Sequence, residues 1–410
     1  SPTSEGTAAG AIASFSSADT AFFTGTAGTA TLVGPITIGG LVFSGADFTI
    51  AGDILTLDAT AGSPSISVST ANVATIGSLL AGVDGLVKTG GGSLRLGNAA
   101  NSLTGAVTIE GGSIIVSSAT ALGGIGAIRI TSGNATPSNT NLVYQGGALV
   151  LDGTAGGFVF SRDINFEGRG PLGDRASAIL SVGDNTLSGV ITSASSLQSP
   201  VTSRNSRINS VNGTLTISGT FNVGGSASLA FTSLGGVNTV GVGNFSFAGA
   251  TLAGTGSLEK SGSGVLYLDT AASVSGFTGT VRVGASSVGQ QSTIRVTKLT
   301  VGSTSVFGAS TASGSTAPIN INGGVLEFRS NSSLDFNSLT TGKNVYFQTT
   351  AAVFTGPAAG GAAINGVTTL GLFRVGQGQT LTLNSRNGYG MAFQEWTLES
   401  NNGNSTITNE

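Results

Sequence analysis

Residues Leu86 to Val116 read LVKTGGGSLRLGNAANSLTGAVTIEGGSIIV, and the same plan returns from Leu258 to Gly284 as LEKSGSGVLYLDTAASVSGFTGTVRVG. Lys88 aligns with Lys260, 172 positions on. Gly90 and Gly92 align with Gly262 and Gly264, and Leu94 and Leu96 with Leu266 and Leu268. After a two-residue insertion, Thr104-Gly105 aligns with Thr278-Gly279. Each copy alternates apolar and polar residues in short runs (Leu94, Leu96; Val107, Ile109; Ile114, Val116), and glycines close each run. That is the period-2 signature of short strands with one buried face, punctuated by turns. Strand spacing alone allows a sandwich, a barrel or a solenoid. The internal repeat selects the solenoid, because a self-similar unit that cannot bury its own face is stacked on its neighbours over one continuous core.

Composition narrows the chemistry open to such a chain. Of 410 residues, 67 are Gly, 39% are hydrophobic and only 9% are charged, so the chain is too apolar for disorder. It has no Cys and no His. Thiol and imidazole catalysis, zinc sites and haem ligation are thereby excluded within it. Net charge is −3, and the 16 basic residues are scattered, so no nucleic-acid footprint is expected. No run approaches the roughly 18 to 20 apolar residues of a membrane-spanning helix, and membrane insertion by this segment is not expected. The opening SPTSEGTAAG has no basic or apolar leader pattern, which fits a processed N-terminus or a fragment.

Along the chain we expect an N-terminal arm or cap over residues 1–24, a first solenoid half over 25–200, a second over 201–400, and a polar tail at 401–410. The Ser-rich SASSLQSPVTSRNS around Pro200 marks the joint. Glycine frequency is read as a turn count, since Gly tolerates positive φ.

The quoted segments resemble the autotransporter-associated β-strand repeat, also called the passenger-associated transport repeat, of large secreted or surface proteins of Gram-negative bacteria. Its pattern is Leu-x-Lys-x-Gly-x-Gly-x-Leu-x-Leu, a polar spacer, Thr-Gly, then a Val or Ile strand. Leu86 to Ile109 and Leu258 to Val283 match it. GRGPLGDRASAILSVGDNTLSGVIT (168–192) and SRINSVNGTLTISG (206–219) also resemble stretches of long members of that group. The resemblance implies a right-handed parallel β-helix exported from the cell, extracellular or on the outer surface of a Gram-negative bacterium. It supplies no activity, because passengers with this repeat include adhesins and aggregation factors.

Two groups of residues stand out as candidates. Arg162, Asp163, Glu167, Arg169, Asp174 and Arg175 fall within 14 positions and are expected to bulge from the solenoid as a charged loop, a candidate ligand contact. β-Helix lyases and hydrolases attack sugars with paired carboxylates. These acids follow no coil register and lack an aromatic platform, so a salt-linked loop is the preferred reading. Phe22 and Phe23 near the start, and Tyr389, Phe393 and Trp396 near the end, are expected to cap the core or to join copies end to end. The calcium nonapeptide Gly-Gly-x-Gly-x-Asp is missing, and GGG at 90–92 lacks the lysine-serine ending of a phosphate loop. No catalytic, cofactor or metal residue is assigned.

The expected fold is all-β, an elongated right-handed parallel β-helix of about 17 to 20 coils, roughly 80 to 95 Å long, with coils of roughly 20 to 25 residues. The expected function is non-enzymatic: an extracellular filament or stalk, with a second copy of the chain as partner through head-to-tail contacts. The alternatives are an adhesin passenger that binds cell-surface glycans or neighbouring cells, and a polysaccharide-degrading enzyme.

Overall fold

The computed structural model describes residues 15–132, 146–171, 177–194, 205–225, 228–236, 239–240, 243–268, 271–284, 298–301, 319–335, 344–349, 351–358, 360–398 and 406–409. Among these residues there is no helix, and strands pair in parallel with the equivalent strand one coil away, apart from one antiparallel contact between Ser228–Gly236 and Thr239–Val240. The fold is a parallel β-solenoid, as the repeat requires. It divides into two compact units: 1–172 with 176–180, and 173–175 with 181–410.

In the first unit the chain visits three faces in turn. Gly40–Phe43, Ser65–Val68, Leu86–Thr89, Val107–Ile109 and Ile128–Ile130 stack on the first face. Phe48–Gly52, Val73–Ile76, Ser93–Leu96 and Gly112–Val116 stack on the second, and Ile36–Ile38, Leu55–Leu57, Leu80–Gly82 and Ser102–Leu103 on the third. The second unit stacks Asn205–Ser210, Ser228–Gly236, Ser257–Gly262, Val281–Gly284, Ile319–Asn322, Val345–Phe347, Val367–Val375 and Gly390–Leu398 in one ladder. Beside it runs a second ladder that includes Val325–Arg329, Ala351–Gly356, Thr380–Ser385 and Thr406–Asn409. The C-terminal residues 406–409 are therefore a strand of the sheet.

Parallel stacking in register places like residues above like, and the core consists of inward rows. Leu41, Ile66, Lys88, Ile109, Ile130 and Phe166 form one such row in the first unit. Ile208, Phe231, Lys260, Val283, Ile321, Phe347 and Val375 form one in the second. Every member is buried. Each aliphatic or aromatic rung contributes about 1.5 to 3 kcal/mol of burial.

Coil length departs from expectation. Leu86 pairs with Val107, 21 positions on, but Ile128 pairs with Ile164, 36 positions on, and Val281 with Ile319, 38 on. Among the described residues the first face of the first unit has seven strands, Thr20–Phe23 and Ile164–Phe166 included, and the long ladder of the second unit has eight.

Candidate functional site

The repeat motif builds a corner around its lysine. Leu86 and Lys88 have the same parity, so both point inward, yet Lys88 occupies a rung between Ile66 and Ile109. The strand ends at Thr89, and Gly90 turns the chain at φ 73°, a conformation that strains any residue with a Cβ. That turn aims carbonyl oxygens into the interior. The Lys88 Nζ donates to Thr89 O (2.7 Å), Gly90 O (3.1 Å), Gly92 O (2.9 Å) and, one coil on, Gly111 O (3.1 Å). A buried carbonyl without a donor costs about 1 to 3 kcal/mol, so the ammonium satisfies a cluster that the turn itself creates.

Lys260 repeats the arrangement. Its Nζ donates to Ser261 O (2.8 Å), Gly262 O (3.2 Å) and Ser263 O (3.0 Å), with Gly262 at φ 74° and the Phe245 ring 5.9 Å from the ammonium. Burial pushes both lysines down to about 7, while the carbonyl oxygens favour the charged form. Sequence reading aligned these lysines without giving them a role. The signal available was a charged residue at an inward position two residues before a glycine turn.

The charged cluster is built differently from the expected loop. Ile164–Phe166 is a strand of the first face, flanked by Arg162 and Glu167, both buried. The Arg162 guanidinium donates to Gly126 O (2.7 Å), Gly105 O (3.2 Å) and Leu122 O. Gly105, Gly126 and Arg162 each precede the first-face strand of successive coils, so one side chain ties three coils. Burial pushes its guanidinium down to about 10, and it stays charged at neutral pH. Glu167 Oε1 accepts from Ser132 N (3.3 Å) and Ser132 Oγ (3.0 Å). Asp163 is exposed and Arg169 half-buried, whereas Asp174 and Arg175 lie outside the described residues. The difference has a physical cause: the buried apolar residues between the charges, Ile164 and Phe166, hold this stretch in the wall.

The end aromatics divide by parity. Phe23 stacks on Phe43 at 4.7 Å, while Phe22 is 69% exposed. Tyr389 is buried and donates to Ser330 O at 2.6 Å, and Phe393 packs on Phe373 at 4.4 Å. Trp396 stands opposite Phe373 in the ladder, on an inward row formed by Val281, Ile319, Val345 and Phe373, yet it is 59% exposed. Among the described residues no group of three or more carboxylates could hold a metal ion.

The chain is similar to the protein named "Adhesin BmaC autotransporter" from Brucella suis biovar 1 (strain 1330). Identity is 38% over 173 residues, which is 42% of this chain and 5% of that protein. The chain therefore spans a small part of the length of the curated relative it matches. No family model matches the chain, and no solved structure matches it.

Proposed function

We propose that this chain acts as an autotransporter-type passenger: a non-enzymatic β-solenoid displayed outside a Gram-negative cell, attaching it to host or neighbouring cells. The observation that carries this reading is the 38% identity, over 42% of this chain, to a Brucella autotransporter named as an adhesin. The parallel solenoid supports it, as does a chain without His or Cys. We read the Lys88 and Lys260 corners as two autotransporter-associated β-strand repeats. The contact surface we favour is the outward-facing wall, including Asp163 and Arg169, because Arg162 is consumed by backbone carbonyls. The test is surface display of residues 1–410 on a non-adherent Gram-negative strain. Adherence to epithelial cells should rise severalfold over a display control; no rise sinks the reading.

A second reading, self-association into filaments, is favoured by one observation: the inward row that ends in the exposed Trp396. An inward residue exposed on the last described rung of its ladder can be covered by another coil, and a second copy offers the strand Thr20–Phe23 with Phe22 exposed. Sedimentation at micromolar concentration tests it. Concentration-dependent growth that is lost in Trp396→Ser supports a filament, and a monomer throughout rejects it.

A further inference from the structure

We infer that the second unit carries a binding cleft for a carboxylated sugar between Arg329 and Arg386, a ligand class that deepens the adhesin reading and rests on it. The cleft has a volume of about 220 Å³ and is lined by Glu327, Arg329, Phe354, Gly356, Arg386 and Asn387, among others. Its origin lies in the register. Arg329 pairs with Gly356, and Thr355 pairs with Ser385, so Arg386 falls one rung beyond Gly356 in the same outward row. Two guanidinium side chains thus flank a residue with no side chain. A Cβ built on Gly356 would make only ordinary contact, 3.5 Å from the Arg386 Cβ, so the notch is open space rather than a packing requirement.

The two arginines differ in what they are free to do. Arg329 is held in a fork by Glu327, with Nε 2.8 Å from Oε2 and Nη2 3.0 Å from Oε1. Arg386 is exposed, its backbone N–H donates to Thr355 O at 3.0 Å, and among the described residues nothing pairs with its guanidinium. The lining therefore carries one carboxylate against two guanidinium groups in a chain whose net charge is −3. An exposed guanidinium such as that of Arg386, which pairs with nothing among the described residues, is suited to bidentate capture of a carboxylate. The remaining walls select the rest of the ligand. Phe354 is half-buried and offers an apolar ring face, and Asn387 offers both an amide donor and an acceptor. A pyranose ring with one carboxylate supplies an apolar C–H face and hydroxyl donors beside the anion. An acidic amino-acid side chain supplies the anion alone.

The experiment is isothermal titration of the full chain with methyl β-D-glucuronide, methyl β-D-glucoside and N-acetylaspartate. Saturable binding of the glucuronide, with binding of the other two at least tenfold weaker, is expected. Arg386→Ala should weaken the glucuronide at least tenfold, and Arg386→Lys, which keeps the charge without the fork, should recover only part of it. No saturable glucuronide binding, equal binding of the glucoside or of N-acetylaspartate, or full affinity in Arg386→Ala each overturns the inference. Cell adherence that persists in Arg386→Ala would remove this cleft from adhesion while leaving the adhesin reading intact. Glucuronide binding by a chain that confers no adherence would do the reverse.

Discussion

Lys88 donates to the carbonyl oxygen of Gly92 at 2.9 Å, closing a corner in which a buried cation takes the place of an aliphatic rung. Lys88→Met keeps the chain length and apolar stem but removes every donor, leaving four carbonyls, that of Gly92 buried, to find other partners. The relief of burying a charge offsets part of that loss. The expected destabilisation of the first unit is about 2 to 4 kcal/mol, read by hydrogen exchange at the amides of Leu86–Thr89 and Ser93–Leu96. Unchanged protection would contradict the role assigned to the ammonium.

The same lysines make stability depend on pH. Their folded value of about 7 lies below the unfolded value of about 10.4, so between these limits the unfolded chain binds more protons. Stability should therefore rise with pH from about 7 to about 10, and this rise should shrink in the Lys88→Met, Lys260→Met double variant. Urea midpoints across that window measure it. A flat profile in the parent chain would mean that the carbonyl cages hold both charges against burial.

Arg162→Ala is expected to destabilise rather than to abolish ligand contact. It strips the donors from Gly105, Leu122 and Gly126 and unties three coils, a loss of about 3 kcal/mol or more. Thermal unfolding and adherence measured on the same variant separate the two roles. A fully stable variant that no longer adheres would restore the cluster as a contact site.

Gly112→Ala tests how closely the coils approach. Gly112 has φ 63°, and a Cβ there would overlap the carbonyl oxygen of Gly92 on the adjacent coil. Left-handed strain and the clash together should cost at least about 2 kcal/mol. Gly124→Ala, where a Cβ meets nothing within 4 Å, is the control and should change the midpoint little.

Alternation and repetition carried the fold. Leu94 and Leu96, Val107 and Ile109, and Ile114 and Val116 all lie inward as their parity required, because a stacked sheet offers a side chain only two directions. Charge was misread where backbone demand overrode it. Arg162 and Glu167 look like a solvated loop in sequence, and nothing local reveals that carbonyls from two earlier coils converge on Arg162. The lysine corners were visible as a motif but not as a function, since the acceptors include Gly111 on the next coil, 23 residues away. The Arg329–Arg386 cleft was invisible for the same reason: its two sides are 57 positions apart and meet only through register.

The most direct test of the account is binding of the purified 410-residue chain, fluorescently labelled, to epithelial cells by flow cytometry, with no bacterium present. The account predicts saturable binding that unlabelled chain competes away, with no change in the molecular mass of cell-surface glycans. Labelled chain that remains at background on every cell type across the titration would contradict the adhesin reading.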